Sequence, residues 1–438
     1  MSSEWPMVRL GDQVDACLGK MLDAKKNKGR PHPYLGNSNV RWGRFDLADL
    51  AEMRFEPHEE ERYGLEPGDL VVCEGGEPGR CAIWTGSEGM KIQKALHRIR
   101  PKPAFNNYYL FYWFFHAAKA GTLEPHFTGT TIKHLTGRAI DALQVPLPPV
   151  ETQIAMVDVL RQLDDRITLL RETNATLEAI AQALFKSWFV DFDPVRAKME
   201  GRAPEGMDEA TAALFPDGLE ASELGEVPGG WRVLSLADIS TVGIGKTPPR
   251  KEKHWFSEDA ADIRWVSIRD MGAGSIYASR TSEFLTDEAV SKFNVRRVPG
   301  DTVLMSFKMT IGRVAITDGE MTTNEAIAHF KLEPGALLSS EYIYLYLKQF
   351  DFSKLSSTSS IADAVNSKTV REIPILVPGA DVFGVFQSQV RVLFATLKNA
   401  ELQMQTLSTL RDTLLPRLIS GQLCLSEAQI MMESIAAA

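Results

Sequence analysis

The sequence lacks paired cysteines, long apolar runs and an apolar leader, and each absence excludes a class of protein. Its cysteines are Cys17, Cys73, Cys81 and Cys424. They form no Cys-x-x-Cys pair and have no zinc-ligand spacing, which is typical of a reducing cytoplasm. The first ten residues are polar, and the most apolar run, residues 108–118, is too short to cross a bilayer. The length of 438 residues predicts two or three globular domains. The scattered cysteines predict a cytoplasmic location.

The chain also lacks the sequence motifs of common cofactor-binding and catalytic sites. It contains no glycine-rich motif for S-adenosylmethionine or a dinucleotide, and no Asn/Asp-Pro-Pro-aromatic element. Residues 243–247 resemble the end of a phosphate-binding loop, but Ser240 stands where that motif needs glycine. Asp191, Asp193 and Glu200 follow a predicted long helix without a Glu-x-Lys partner, so we interpret them as part of a helix end. The sequence therefore predicts no catalytic residue and no metal site.

Positive charge is scarce overall but concentrated in two places. The net charge of −9 argues against a protein that only coats nucleic acid. Residues 17–44 nevertheless carry seven basic and one acidic side chain, and residues 242–256 carry four basic and one acidic. Residues 204–226 carry seven acidic and no basic ones. Matching basic segments in the two halves favour local contact with DNA, and solvated basic loops are the alternative.

The two halves of the chain repeat one pattern about 230 residues apart. The matching pairs are Trp5 with Trp231, Leu10 with Leu236, Asp12 with Asp238, Pro67–Asp69 with Pro299–Asp301, and Gly79-Arg80 with Gly312-Arg313. Solenoid repeats are much shorter, ~20–50 residues, so the pattern predicts two copies of a whole domain. Both copies contain short strand-like runs, and one helix is predicted in each, over Asn107–Lys119 and around Glu341–Gln349. Two similar but non-identical domains suit the recognition of two similar but non-identical targets.

A helical pattern follows each copy. Residues 151–189 contain no Gly or Pro, and their apolar residues alternate at spacings of three and four, which predicts a coiled-coil seam. A second seam lies in register 230 residues later. The predicted seam residues are Leu163, Ile167, Leu170, Asn174, Leu177, Leu184 and Trp188, then Leu393, Leu397, Met404, Leu407, Leu414 and Leu418. We expect the seams to bury each other, with Asn174 fixing the register; separate packing of each helix on its own domain is the alternative.

These patterns predict an α+β protein with two similar strand-rich α/β domains and two long helices packed as an antiparallel coiled coil. The predicted segments are a first domain (1–150), a first helix (151–192), an acidic crossover linker (193–225), a second domain (226–380), a second helix (381–423) and a tail (424–438). Each helix follows its own domain, so antiparallel packing would place the domains at opposite ends of a rigid spacer of about 58 Å.

This plan resembles the DNA-specificity subunit of type I restriction–modification systems. The residues that carry the resemblance are Val145–Pro149, Glu151–Gln153, Lys186–Val195 and Leu414–Gly421. The resemblance extends over residues 5–423. The second copy departs from the family pattern, because Ile373–Gly379 is not followed by the usual Pro-Pro and Glu-Gln residues. The start of the second helix is therefore left open.

The resemblance implies a subunit without catalytic residues or a cofactor of its own. Each domain would read one half of a bipartite, asymmetric target in double-stranded DNA, and the helices would set the unread spacer. Its partners would be two methyltransferase subunits, which carry S-adenosylmethionine and modify adenine at N6, and restriction subunits, which use ATP and Mg²⁺ to translocate and cleave DNA in phage defence. Two other functions stay open: a self-contained DNA methyltransferase or nuclease with degenerate motifs, and a purely structural assembly scaffold.

Side-chain chemistry selects the candidate DNA contacts. Those predicted to hold phosphates are Lys20, Lys25, Lys26, Lys28, Arg30, Lys246, Arg250, Lys251 and Lys253. Those predicted to read base edges are Asn37, Asn39, Arg41 and Arg269, since Asn suits adenine and Arg suits guanine in the major groove. Arg80 and Arg313, in equivalent Gly-Arg turns, are either contacts or structural. Further candidates, chosen from polar or basic loop positions, are Thr130, Thr247, Lys308 and Ser359.

Overall fold

The computed structural model describes residues 5–23, 27–272, 275–355 and 366–423. These residues form two compact units. One unit contains the described residues up to Thr168 together with those from Met404 onward, and the other contains Leu169–Gln403. Each unit therefore combines one domain with parts of both long helices. Within the described residues, no helix is both long and apolar enough to cross a membrane.

The first domain is built on an antiparallel sheet. Its strands are β1 (Met7–Arg9), β2 (Val14–Leu18), β3 (Arg30–Leu35), β4 (Val40–Arg41), β5 (Arg44–Phe45), β6 (Ala51–Phe55), β7 (Leu70–Cys73), β8 (Cys81–Ile83), β9 (Lys91–Ile92), β10 (Leu96–Pro101) and β11 (Gln144–Pro146). Its helices are α1 (Leu10–Gln13), α2 (Glu60–Tyr63), α3 (Asn107–Lys119) and α4 (Gly137–Ala142). The central sheet has the order β2-β10-β7-β8, a second has the order β6-β3-β9, and β1 pairs with β11.

A long helix and a folded connection follow. They comprise α5 (Val150–Phe189), α6 (Asp193–Met199), α7 (Glu209–Ala213), β12 (Leu219–Ser222) and β13 (Gly225–Pro228). The last two strands pair as an antiparallel hairpin. Val195 and Phe215 are buried in the same apolar cluster as Trp188, and Lys198 donates to the carbonyl of Phe215. The stretch expected to be a linker is therefore folded onto the second unit.

The second domain repeats the plan of the first. Its strands are β14 (Arg232–Ser235), β15 (Thr241–Ile244), β16 (Phe256–Ser257), β17 (Ile263–Val266), β18 (Tyr277–Ala278), β19 (Glu283–Leu285), β20 (Val303–Ser306), β21 (Val314–Thr317), β22 (Thr322–Thr323), β23 (Ile327–Lys331) and β24 (Pro374–Val377). Its helices are α8 (Leu236–Ile239), α9 (Asp287–Lys292), α10 (Ser340–Gln349) and α11 (Ser367–Arg371), and α12 (Ala380–Ser420) follows.

The strand orders show that the two domains share one topology. The order β15-β23-β20-β21 in the second domain corresponds to β2-β10-β7-β8 in the first. The strand β17 pairs in parallel with β22 as β3 does with β9, and β14 pairs with β24 as β1 does with β11. The prediction of two similar strand-rich domains is confirmed.

One buried helix organises each domain. The helix α3 begins where Asn106 accepts hydrogen bonds from two backbone amides, and α10 begins at a similar cap made by Ser339. The hydroxyl of Tyr109 donates to the carbonyl of Pro146 at 3.0 Å, and that of Tyr342 donates to the carbonyl of Leu376 at 2.9 Å. Each phenol thereby fixes its helix to the last strand of its domain. The helix predicted over Asn107–Lys119 has those bounds in the structure, and the one predicted around Glu341–Gln349 begins one residue earlier.

In the first unit, the start of α5 packs with the end of α12. Leu160 and Leu163 share an apolar cluster with Leu414 and Leu418. Beside that cluster, Arg411 lies 2.6 Å from one carboxylate oxygen of Asp164, and the hydroxyl of Tyr112 donates to the other at 2.7 Å. The two long helices and α3 therefore meet around one charged pair.

In the second unit, the end of α5 packs with the start of α12. Asn174 donates to the carbonyl of Leu397 at 3.2 Å, and the rings of Phe185 and Phe386 lie 6.0 Å apart. The residue numbers rise along one helix as they fall along the other, so the helices are antiparallel here, as expected. Among the described residues, Asn174 Oδ1 is buried and has no hydrogen-bond partner. A buried oxygen without a partner costs stability, as is typical of a polar residue that fixes the register of a helix pair.

The seam residues differ in burial, and two aromatic positions were not predicted. The buried members are Leu163, Ile167, Leu170, Trp188, Leu397, Leu414 and Leu418. The partly buried members are Asn174, Leu177, Leu184, Leu393, Met404 and Leu407. Phe185 and Phe394, each one residue beyond a predicted seam leucine, are buried instead. A straight α-helix has 3.6 residues per turn, whereas a strict heptad repeat assumes 3.5, so the buried face moves gradually away from the heptad positions. At these two places the buried residue is therefore the one after the predicted leucine.

Matched histidines lie inside the two central sheets. His97 in β10 is 2% exposed and its Nε2 lies 3.1 Å from the carbonyl of Leu135, whereas His329 in β23 is 4% exposed and lies against Thr323 Oγ1. Burial lowers the pKa of each imidazole to about 4. Both side chains are therefore neutral in the folded protein at neutral pH.

Acidification should destabilise both domains, because unfolded histidine takes up a proton near pH 6.5 whereas these two resist it until about pH 4. Stability is then lost as the pH falls through this window. Between pH 7 and pH 5 each histidine should lower the free energy of unfolding by about 2 kcal/mol. Denaturant unfolding at both pH values should show a smaller loss for the double variant His97→Gln, His329→Gln. An equal loss in the wild type and the variant would contradict this.

Candidate nucleic-acid interface

Four loops of the second domain meet at one end of its central sheet. We call residues 245–250, 266–272, 306–313 and 322–327 the second loop cluster. The hydrogen bonds that join them run from Lys246 N to Thr323 O (2.9 Å), Asn324 N to Val266 O (3.0 Å), Phe307 N to Ala326 O (2.9 Å) and Arg313 Nη1 to Ile268 O (2.7 Å). Because these bonds lie mainly between backbones, the side chains at the surface can vary without loss of the scaffold.

The first domain has an equivalent arrangement. We call residues 19–20, 35–41, 74–80 and 92–95 the first loop cluster. The hydrogen bonds that join them run from Lys20 N to Ile92 O (3.0 Å), Gln93 N to Leu35 O (3.0 Å), Glu74 N to Ala95 O (2.8 Å) and Arg80 Nη2 to Asn37 O (3.0 Å). The repeat in the sequence thus becomes a repeat of loop architecture.

Two glycines make this close loop packing possible. A Cβ at Gly19 would lie 2.5 Å from the carbonyl oxygen of Gln93, and one at Gly245 would lie 2.1 Å from that of Asn324. Both distances are below any real Cβ contact, and the opposing atoms are backbone. The two glycines lie 226 residues apart, the same offset as Trp5 and Trp231.

Lys20 does not belong to the surface of its cluster. It is 4% exposed, its ammonium lies 2.5 Å from the carboxylate of Glu59, and it donates to the carbonyl of Arg54 at 2.9 Å. The prediction that Lys20 holds a phosphate is therefore wrong. Lys246, its counterpart in the second domain, is exposed. Identical spacing in the sequence gives a structural lysine in one domain and a surface cation in the other.

Asn39 and the two Gly-Arg turns are also structural. The side chain of Asn39 accepts from Gly36 N at 2.9 Å and donates to the carbonyls of Asp46 and Asp49, so it holds its own loop together, and its role as a base reader stays a prediction. For the two arginines, whose role was left open, the structure shows loop-joining hydrogen bonds. Arg80 also pairs with Glu77 at 2.9 Å and is largely buried. Arg313 is partly buried.

Other predicted contacts are held in place by neighbours while keeping some exposure. Arg250 forms two hydrogen bonds to the carboxylate of Glu283 and lies over the ring of Trp265 at 4.5 Å. Thr247 donates to the carboxylate of Glu325. Arg41 donates to the carbonyl of Ser38 at 2.6 Å, and Asn37 is partly buried beside Arg80.

The remaining predicted contacts are exposed, or lie outside the described residues. The exposed ones are Lys28, Arg30, Thr130, Lys246, Lys251, Lys253, Arg269 and Lys308. Those outside the described residues are Lys25, Lys26 and Ser359. Lys246, Arg269 and Lys308 lie on three different loops of the second loop cluster, so the fold gathers cations that are far apart in the sequence. In the described part of the chain, no group of three or more His, Cys, Asp or Glu side chains is arranged to hold a metal ion.

Comparison with known proteins identifies the family. The model of the type I restriction modification DNA specificity domain matches residues 2–179 and 228–399. The chain belongs to this family. Each match contains one domain, its loop cluster and the first part of the long helix that follows. Two copies of the specificity domain thus account for the repeat, and the unit that is repeated is a domain with its helix.

Individual specificity subunits resemble the whole plan. The HindI specificity subunit of Haemophilus influenzae is 30% identical over 336 residues, which cover 67% of this chain and 72% of that protein. The MjaIX specificity subunit of Methanocaldococcus jannaschii is 26% identical over 350 residues, covering 77% and 74%. The crystal structure of a type I restriction–modification S subunit from M. genitalium matches with a TM-score of 0.51 at 14% identity, covering 95% and 96% of the two chains. That likeness shows the shared fold.

The structural role of Arg313 can be tested by stability. Arg313→Met should lower the free energy of unfolding by about 1–3 kcal/mol, because the carbonyl of Ile268 loses a charged donor. Arg269→Met, on the loop that Arg313 holds, is the matched control and should change it by less than about 0.5 kcal/mol, since Arg269 is exposed. Denaturant unfolding of the full chain measures both. Equal effects would contradict a structural role for Arg313.

Proposed function

We propose that this chain is the specificity subunit of a type I restriction–modification complex and reads a bipartite, asymmetric target in double-stranded DNA. The observation that carries the proposal is the pair of equivalent loop clusters, one in each family-matched domain, built on one scaffold with different surface side chains. Each cluster would read one half of the target. Different side chains on equivalent loops would make the two halves different sequences.

The exposed cations would supply affinity, and a smaller set of side chains would supply sequence. Lys246, Lys251, Lys253 and Lys308 in the second domain, with Lys28 and Arg30 in the first, are available to phosphates. Arg269, exposed on the second loop cluster, suits a guanine edge in the major groove. The net charge of −9 is compatible with this, because the basic residues are concentrated in two segments, 17–44 and 242–256.

The long helices would set the unread DNA between the half-sites. The helix α5 is unbroken over 40 residues, about 60 Å at 1.5 Å per residue, with its first part in one unit and its last part in the other. A helix of this kind is stiff, whereas a Gly/Ser tether would leave the spacing undefined.

The same helices would dock the two methyltransferase subunits. Leu169 and Ile180 of α5 and Val392 and Leu402 of α12 are exposed apolar side chains, which a partner would cover. S-adenosylmethionine, ATP and Mg²⁺ would be bound by the methyltransferase and restriction subunits in the cytoplasm, and this chain would contribute no catalytic residue to adenine methylation or DNA cleavage.

Removing surface cations tests the DNA contact and the alternative of a purely structural scaffold. The triple variant Lys246→Ala, Lys251→Ala, Lys253→Ala should weaken non-specific duplex binding and reduce the slope of log affinity against log salt by about 0.9 for each phosphate that is no longer neutralised. The matched control is Lys186→Ala, Lys331→Ala, Lys368→Ala, which removes three lysines with exposed side chains outside both the loop clusters and the basic segment 242–256. Salt titration of DNA binding measures both. Unchanged slopes in both variants would favour the scaffold.

Sequencing of methylated adenines tests the function as a whole. In cells that carry the methyltransferase subunits, adding this chain should create methylation at one bipartite motif, and its removal should abolish that motif. A motif that persists without the chain would contradict the proposal.

Assays of the chain alone test the enzyme alternative. The purified chain, incubated with DNA and either S-adenosylmethionine or Mg²⁺, should neither methylate nor cleave, whereas the reconstituted complex should methylate. Turnover by the chain alone would favour a self-contained enzyme.

A further inference from the structure

Two large apolar side chains of the second loop cluster are exposed, Ile311 at 41% and Met309 almost completely. Met309, in the loop between β20 and β21, is 96% exposed, the highest value among the large apolar side chains of the described residues. A single exposed apolar residue is ordinary on a protein surface, but almost complete exposure at a loop tip means that the fold gains no packing from it.

The backbone at Met309 is also unfavourable for a side chain. Its φ is +60°, in the left-handed region that glycine adopts freely and methionine rarely does. The equivalent residue of the first domain, 233 positions earlier, is Gly76, with φ +73°. The second domain therefore carries a methionine where its sister domain has the residue that this conformation favours.

The two loops are otherwise held alike. In the second domain Gly312 N donates to Ser306 O at 2.9 Å, and in the first Gly79 N donates to Cys73 O at 3.0 Å. Glycine at position 309 would satisfy the same backbone. Neither packing nor loop geometry explains the methionine, so the reason for it lies in something that this surface contacts.

The surroundings of Met309 indicate what that contact is. Lys308 beside it is exposed, and Lys246 and Arg269 are exposed on other loops of the same cluster. Cations that hold phosphates around an apolar group match the major groove, where thymine presents a 5-methyl group among polar base edges. Methionine is unbranched and polarisable, so it adapts to a contact of this kind.

We propose that Met309 is a specificity-determining residue of the second domain, which recognises a thymine through apolar contact with its 5-methyl group. The proposal rests on the proposed function in DNA recognition and adds to it the side chain that recognises one particular base. The first domain lacks this contact, because Gly76 has no side chain. One equivalent loop position thus makes the two half-sites different.

Selection from random DNA tests the proposal. The complex of the chain with its methyltransferase subunits is bound to a pool of random duplexes, and the bound DNA is sequenced for the wild type and for Met309→Gly. The variant should lose a thymine preference at one position of one half-site and keep the other half-site unchanged. Met199→Ala, which alters an exposed methionine of α6 outside the loop clusters, should select the same DNA as the wild type.

Deoxyuridine then isolates the methyl group, since it pairs as thymine does but lacks the 5-methyl. Substitution at the selected position should weaken wild-type binding about fourfold, the equivalent of one buried methyl group (about 0.8 kcal/mol), and leave Met309→Gly unaffected. Unchanged half-sites in Met309→Gly, selection of another base at that position, or equal sensitivity to deoxyuridine would each overturn the role of Met309. A wild type that selects no sequence would overturn the proposed function itself, so the two failures are distinguishable.

Discussion

The burial of the long helices against the domains is the interaction on which the structure depends. In the first unit, α3 is covered by the start of α5 and the end of α12, and all three contribute to one apolar cluster. In the second, α10 is covered by the end of α5 and the start of α12 in the same way. Neither domain core is complete without residues from both helices. A helix that slid or rotated would therefore disturb a domain core as well as the helix pair.

This arrangement separates what must stay constant from what can vary. The phenols of Tyr109 and Tyr342, the matched histidines and the glycines at positions 19 and 245 all serve the common scaffold. Equivalent positions of the two loop clusters differ, as with buried Lys20 and exposed Lys246, or Gly76 and Met309. A scaffold fixed by backbone hydrogen bonds and core packing can present two different loop surfaces.

Sequence patterns predicted the features that depend on periodicity, and missed those that depend on tertiary contacts. The repeat, the α3 helix and the pair of long helices follow from spacing alone. Phe185 and Phe394 were missed because a heptad template ignores the drift of a straight helix and the domain core that these rings also face. Residue spacing could not reveal that buried Lys20 forms an ion pair with Glu59, or that the side chain of Asn39 is hydrogen-bonded to the backbone. The sequence shows the contrast between Met309 and Gly76 only when the two copies of the repeat are aligned with each other.

The most direct test of the account changes the length of the helices without touching either loop cluster. Four residues are inserted after Thr168 in α5 and four after Gln403 in α12, where each helix passes from one unit to the other, so that the contact of Asn174 with Leu397 is kept, and the methylated motif is sequenced. Four helical residues add about 6 Å. If the helices set the spacing, the unread spacer should lengthen by about one or two base pairs while both half-site sequences stay the same. An unchanged spacer, or altered half-sites, would contradict it.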